Sequence, residues 1–528
     1  METATRTVRG WLSRMPLSET IRADAVVIGA GLGGLGAAGY LARAGHKVVV
    51  LEHHTVPGGY AHEFKRRGFR FEVALHALDG AGRGGWLEPM LGDLGVLDRV
   101  DFTEIDPFYT ARFPDFEITV PADLSAYLSE LKQVFPAEAA GIDSLFSAIG
   151  RVAADTVRYG EDRRSGARPK PTEMIERYPD MAQAFSQDWQ AFMETYLGDA
   201  QLQAVVSTLW GYFGLPPSKV SAGLFCLALH SYHTTGAWYP RGGSQAMSRA
   251  IVEGIVEHGG SVHFRNRVTR IEVEGGRAVA VETDRGLRVE ADVIVSNASP
   301  AATVAMVGDT HFDDTFLGSV ERDVPALSNL VVYLGLDRDL AAEGWSHHEF
   351  FLADGYDVDA DYEAMVVGDF SRTGMVMANY TDTDPGCAPE GHSVLAIMSL
   401  APWDYRNVWG TGGDLNNYSE NATYRRIKDE AADRLIDRAQ RLIPGLRDSI
   451  VVKEIGTPLT NVRYGLSPEG SIYGRQQTVE NLLNRRSPKT PIPNLLLAGA
   501  WVAGGGMSTA LGSGRTAASI AGRLLTPG

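Results

Sequence analysis

The chain has 528 residues, 59 of them glycine, with a formal charge of −16 and two cysteines. Its length calls for more than one core and leaves room to enclose a large ligand. The acidic balance argues against a nucleic-acid partner, and two cysteines exclude a disulfide framework, making a reducing cytoplasmic setting the expectation. Cys226 sits within the apolar run Leu224 to Leu229 and reads as a core thiol. No run reaches the ~18 apolar residues of a membrane span, and no continuous apolar stretch marks a secretory leader. Residues Met1 to Leu17 set Arg6, Arg9 and Arg14 beside Val8, Trp11, Leu12 and Met15. That pattern suits peripheral contact with anionic lipid on the inner membrane face, or equally a tail or first helix packed on the protein.

The first element of the chain proper is Ala23 to Glu52, which reads strand, glycine turn, helix, strand. Gly29, Gly31 and Gly34 form G-x-G-x-x-G before a helix expected over Gly33 to Ala44, and Glu52 closes the second strand. The glycines allow a tight turn, close approach of backbone to a pyrophosphate and close packing of helix on sheet. Free N–H groups at the helix start favour the phosphates, and the Glu52 carboxylate favours an unphosphorylated ribose. Pro57-Gly58-Gly59-Tyr60-Ala61-His62 follows, so that Glu52 and the glycine pair make E-x5-G-G. The pattern of Gly68 to His76 reads as a strand that places Phe69 and Phe71 on one face.

The stretch Val26 to His76 resembles the amino-terminal segment of the flavin-dependent amine oxidase and carotenoid desaturase superfamily, in which the acid and glycine pair serve FAD. The resemblance implies an α/β fold: a discontinuous Rossmann-like FAD-binding domain of the glutathione-reductase type, with an interleaved α+β substrate domain. It assigns Gly29, Gly31, Leu32, Gly33, Gly34, Glu52, His53, Gly58, Gly59, Tyr60, Ala61 and His62 to the cofactor. Where many members have Asp and Gly, this chain has Glu72 and Ala74. His62 and His76 are both placed to face a flavin, or to be structural.

From Gly84 to Thr235 the pattern turns helical. Asp123 can cap a helix carrying Leu124, Tyr127, Leu128, Leu131 and Val134, and a second helix is expected from Ile142 to Val152. Glu161 to Pro171 reads as an exposed loop, and Phe192 to Pro217 is aromatic-rich, either a tunnel wall or an ordinary core. Tyr239-Pro240-Arg241-Gly242-Gly243 then opens a helix to Glu257, followed by alternating segments over Val262 to Ala298 that read as a meander ending in a buried strand. In the superfamily the corresponding segment borders the adenine, which implies backbone contacts to the adenine from Val268 and assigns Ala298 to the cofactor. Residues 303 to 450 form a second unlike stretch, expected to join the first as one substrate domain, with a charged helix over Tyr424 to Leu442.

At the carboxyl end, Thr457-Pro458-Leu459-Thr460 and Gly470-Ser471-Ile472-Tyr473-Gly474 resemble the T-P-x-T and G-x-x-Y-G motifs of the carotenoid isomerase and retinol saturase branch. An apolar strand then runs into Gly499-Ala500, and Gly504-Gly505-Gly506 opens a last helix, repeating the anion-binding arrangement of the first motif. The resemblance places Gly499 and Ala500 near the ribityl chain and pyrophosphate, and Gly506, Met507 and Ser508 near the isoalloxazine. The expected boundaries are a cofactor domain of 21–85, 239–302 and 451–528, a substrate domain of 86–238 and 303–450, and an extension of 1–20.

No second nucleotide motif, metal-ligand spacing or nucleophile motif stands out, so the chemistry is expected to be the flavin's. The resulting expectation is an FAD oxidoreductase acting on C–C or C=C bonds of a long apolar, polyene-like substrate by desaturation, saturation or isomerisation. His76, Tyr239 and Arg241 are the candidate proton-handling groups. The electron partner is left open among quinone, oxygen and an external reductase. Amine oxidation is the alternative chemistry, and a lipid-binding escort protein of the Rab escort kind is the alternative without chemistry.

Overall fold

The computed structural model describes residues 20–82, 84–403 and 405–526; the basic amphipathic segment Met1 to Leu17 lies outside them. Strand Thr20–Ile28 is the centre of a seven-stranded sheet. It pairs in parallel with Val48–Leu51 on one side and Arg288–Ser296 on the other. Ser261–His263 extends the first side. Arg288–Ser296 divides its outer edge, the first half pairing antiparallel with Arg277–Thr283 and the second half in parallel with Leu495–Leu497. A meander is thereby joined to a parallel sheet along one strand.

The apolar runs that read as strands are continuous because both sheet faces are covered. Ala25, Val27, Val48 and Val50 face the helices, whereas Val26, Ile28, Val49 and Leu51 pack with Val268, Ile271 and Val281 of the meander. Helix Leu32–Arg43 lies in backbone contact with the carboxyl-terminal helix Met507–Leu525. A Cβ on Gly514 would fall 2.2 Å from the Gly33 carbonyl oxygen, and one on Gly36 2.8 Å from that of Leu511. The first and last glycine motifs therefore belong to one packing unit. Strand order reverses at Thr20–Ile28, so the carboxyl ends of that strand and of Arg288–Ser296 open a crevice, the usual ligand position in such a sheet.

A second seven-stranded sheet runs Ile450–Gly456, Ser328–Leu336, Ser393–Ala401, Met375–Asn379, Glu349–Leu352, Tyr109–Arg112, Glu117–Val120. Strands from both unlike stretches of sequence thus share it, through the parallel pairing of Tyr109–Arg112 with Glu349–Leu352. Ile450–Gly456 pairs with Ser328–Leu336, so this sheet takes a strand that the expected boundary at 450/451 gives to the cofactor domain. Two further differences have local causes. The helix expected to stop at Val152 spans Ala139–Arg164, because Asp155 in its second half is buried and accepts from the N–H groups of Asp180 and Met181 at the start of helix Pro179–Phe185. The charged helix is Ala422–Ala439, capped by the Asn421 side chain. Cys226 and Cys387 are both free and buried. No helix among the described residues is long and apolar enough to cross a membrane.

Candidate active site

A cavity of about 900 Å³ opens from the crevice between the first and last motifs toward the second sheet. Its outer half is bounded by Gly29, Gly31, Leu32, Gly33, Glu52, His53, Gly58, Gly59, Tyr60 and Ala61, with Val268, Ala298, Gly499, Ala500, Gly506, Met507 and Ser508. Glu52 is 5 % exposed and its carboxylate is held on three sides. Oε2 accepts from the Ala30 N–H at 2.6 Å, and Oε1 accepts from the His54 N–H at 2.7 Å and lies 2.8 Å from His53 Nδ1. Burial opposes its ionisation, but the His53 bond and charge and the two backbone donors outweigh it and hold the carboxyl below the usual range.

Asn297, just past the end of its strand, sits at the meeting point of the glycine turns. A Cβ on Gly33 would lie 2.5 Å, and one on Gly499 2.4 Å, from its Oδ1, while one on Gly31 would lie 2.8 Å from its Nδ2. Two helices begin at this cavity, after Gly31 and after Gly506, and neither has a side-chain cap. Their first N–H groups are free for anionic oxygens.

The inner half is bounded by His76, Tyr212, Tyr232, Ile472 and Tyr473. His76 Nδ1 is 2.8 Å from the Tyr380 hydroxyl, and burial, with His348 nearby, lowers its pKa to about 3. His76 is therefore a neutral hydrogen-bonding group. Beyond it lies a second cavity of about 380 Å³, lined by Phe113, Trp210, Phe351, Tyr356, Met375, Met398 and Leu400. His76, Tyr212, Asn329, Ile472 and Tyr473 line both, so the chambers share one wall.

Of the three candidate proton-handling groups, His76 alone is on these walls. Tyr239 is buried behind them, its ring 5.5 Å from that of His348 and its hydroxyl 3.5 Å from Glu72 Oε2. Arg241 is a correction to the expectation: its side chain is 60 % exposed, donates to Thr103 Oγ1 at 3.0 Å and pairs with Asp101 at 3.2 Å. It lies past the end of strand Ala237–Pro240, which turns it to the surface. Two residues assigned to the cofactor also do not line the cavity. His62 turns its Nδ1 to the Gly59 carbonyl at 2.5 Å, and Gly34 packs where a Cβ would be 2.0 Å from the Gly29 carbonyl oxygen. Glu72 is structural, accepting from the Ser244 N–H and hydroxyl at 2.8 and 2.7 Å and so capping helix Ser244–Glu257; burial nevertheless raises its pKa to about 7. Sequence reasoning missed Asn297, Tyr212 and Glu349. For Asn297 a signal was present, a polar residue directly after a buried parallel strand beside a glycine turn.

The donor set fits a dinucleotide. Glycine turns leave backbone exposed where a Cβ would collide, two uncapped helix starts face one cavity, and buried His53 Nε2 has no partner among the described residues. Comparison with known proteins agrees. Residues 32–521 match the family model described as flavin containing amine oxidoreductase. The chain is 25 % identical to all-trans-retinol 13,14-reductase of Danio rerio, over 94 % of this chain and 85 % of that one. It is 28 % identical to prolycopene isomerase 1, chloroplastic, of an Oncidium hybrid cultivar, over 85 % and 75 %. A crystal structure of an oxidoreductase from Methanosarcina mazei superposes with a TM-score of 0.64 at 18 % identity, covering 94 % of this chain and 99 % of that one. With nearly its whole length matched and the cavity built for a dinucleotide, the chain belongs to the flavin-containing amine oxidoreductase family and is an oxidoreductase whose cofactor is FAD.

Proposed function

We propose that this FAD enzyme acts at the C–C or C=C bonds of a long, apolar substrate of the polyene class. The observation that carries the reading is the apolar chamber of about 380 Å³ sharing a wall with the cofactor cavity. Phe113, Phe351, Met375, Met398 and Leu400 offer a substrate hydrophobic contact, worth ~25 cal/mol per Å² of apolar area buried, while Arg112, Asp354, Asp357, Asp361 and Arg372 also line the chamber. The relatives named for all-trans-retinol and prolycopene lend the polyene class.

FAD, when bound, supplies hydride and electron exchange. The outer residues would hold it: Glu52 toward its ribose hydroxyls, the turns at Gly29 to Gly33 and Gly499 to Ala500 toward the pyrophosphate, Val268 toward the adenine, and Gly506 to Ser508 toward the flavin. The inner residues align the reacting bond and exclude water. His76, neutral and fixed by Tyr380, orients without carrying charge.

The test is the visible spectrum of the purified, FAD-loaded protein under anaerobic conditions, before and after adding all-trans-retinol or a carotenoid. A change in the polyene bands that needs prior chemical reduction of the flavin supports saturation or redox-assisted isomerisation. Flavin bleaching by a partly saturated polyene supports desaturation. Turnover of amines with peroxide release, and none of polyenes, overturns the reading. A protein that takes up no FAD leaves only a carrier.

A further inference from the structure

Glu349 begins strand Glu349–Leu352 and is 1 % exposed. Its Oε2 and the Tyr212 hydroxyl share a hydrogen bond of 2.5 Å, which the protonated acid donates to the phenol oxygen, while Oε1 has no partner among the described residues. The groups facing it are phenols and neutral imidazoles. An ionised Glu349 would oppose ionisation of the hydroxyls of Tyr109, Tyr212, Tyr232, Tyr380 and Tyr473. The His76 ring is 6.4 Å from that of Tyr212, and burial keeps both His76 and the neighbouring His348 neutral. No described cation is paired with the carboxyl, and burial pushes it up to about 8, so it carries a proton at neutral pH. A buried acid left without a charge partner or a full set of hydrogen bonds is poor structural material. It is, however, one hydroxyl away from the wall shared by the two cavities, since Tyr212 lines both.

We propose that Tyr212 and Glu349 are the proton relay of the reaction, with Tyr212 exchanging a proton with the substrate carbon that does not exchange hydride, and Glu349 restoring the Tyr212 hydroxyl. The inference rests on the C=C reading above. Reducing a C=C bond consumes one hydride and one proton. The hydride, with both electrons of one new C–H bond, comes from reduced FAD. The π electrons of the substrate form the second C–H bond with the proton of Tyr212, whose oxygen takes the Glu349 proton along the 2.5 Å hydrogen bond. Solvent then reprotonates Glu349. Desaturation runs the same transfers in reverse. Tyr212 is the group that meets substrate; Glu349 acts through it.

The test is the single-turnover rate of all-trans-retinol, and of a carotenoid, with the chemically reduced, FAD-loaded enzyme and its Glu349→Gln and Tyr212→Phe variants, followed across pH. Wild-type rate should be full below pH 8 and fall about tenfold per unit above the Glu349 value of about 8. Both variants should bind the polyene as wild type does, react at least ~100-fold more slowly and lose the pH break. Infrared difference spectra of wild type against Glu349→Gln at neutral pH should show the carbonyl stretch of a protonated carboxyl, a readout that needs no substrate. Absence of that band, or variants that keep wild-type rates and pH profile, overturns the relay. Wild-type enzyme that holds FAD and shows the band, but leaves both polyenes untouched, instead overturns the polyene reading and with it the reaction the relay serves.

Discussion

Replacing Glu52 by Gln changes one atom in a buried site, and the hydrogen-bond inventory sets the size of the effect. A carboxylate offers about four acceptor positions. Ala30 N–H uses one on Oε2, and His54 N–H and His53 use two on Oε1, which leaves one on Oε2 for a sugar hydroxyl. The amide of Gln presents an NH2 group on one side. It must then set a donor against the Ala30 or the His54 N–H, at separations of 2.6 and 2.7 Å. A hydrogen bond to a charged group is worth ~1.5–3 kcal/mol, so the loss of the ribose bond alone weakens FAD binding by ~10- to 150-fold. Flavin fluorescence titration of the apoprotein measures it, and FMN provides the control, because it lacks the adenosine ribose. FAD affinity should drop in Glu52→Gln while FMN affinity changes little. The sign with pH follows from the lowered Glu52 value. Its contribution to stability is present above the ordinary carboxylate pKa and is lost as pH falls through the lower folded value, so wild type should lose stability on acidification along a step that the Gln variant lacks. Equal FAD affinity in the two proteins, or an equal loss for FMN, would refute the assignment.

Other substitutions separate packing from chemistry. Gly514→Ala drives a Cβ to 2.2 Å from the Gly33 carbonyl oxygen, so it should part the two glycine helices and abolish FAD retention, seen as loss of bound flavin on gel filtration. Gly150→Ala, in helix Ala139–Arg164 with nothing within 4 Å of the new Cβ, should instead raise stability by ~0.5–1 kcal/mol in urea melts. Arg241→Gln removes a surface ion pair and an exposed hydrogen bond to Thr103, and turnover should stay within about twofold of wild type, since exposed ion pairs contribute ~0–1 kcal/mol; a hundredfold loss would return Arg241 to the mechanism. The folded pKa of Glu349 is raised, so its share of stability is full below the unfolded value of about 4.3 and is lost as pH rises to about 8. Denaturant midpoints of wild type and Glu349→Gln should therefore converge at acid pH, with the Gln variant the more stable above pH 8.

The crevice between the two glycine motifs was legible because its shape is a matter of backbone. Gly29 to Glu52 are contiguous, each glycine answers to a steric demand, and the carboxylate falls at the end of the adjacent parallel strand. The reaction end was not, because its groups meet only through sheet pairing. Tyr212 and Glu349 are 137 positions apart, and Glu349 reaches its place through the pairing of its strand with Tyr109–Arg112 and Met375–Asn379. Nothing in Glu-Phe-Phe-Leu separates a buried acid from the first residue of any short strand. Tyr239 and Arg241 erred in the opposite direction. They flank a glycine pair in the chain, but proximity in sequence does not set the direction of a side chain, and one points behind the wall and the other into solvent.

The same division explains how one scaffold can serve different substrates. Glycine positions at the cofactor end tolerate little, because a Cβ at Gly33 or Gly34 would strike backbone at 2.6 or 2.0 Å. Side chains on the second sheet meet no such limit: Phe351, Met375, Met398 and Leu400 can change size without moving the first sheet, since they lie on strands that pair only with one another and with Tyr109–Arg112 or Ser328–Leu336. On the proposed reading, cofactor identity follows from backbone geometry and substrate choice from volume in the second chamber. Enlarging that chamber, as by Phe351→Ala, should shift preference among polyenes of different length while FAD affinity is retained.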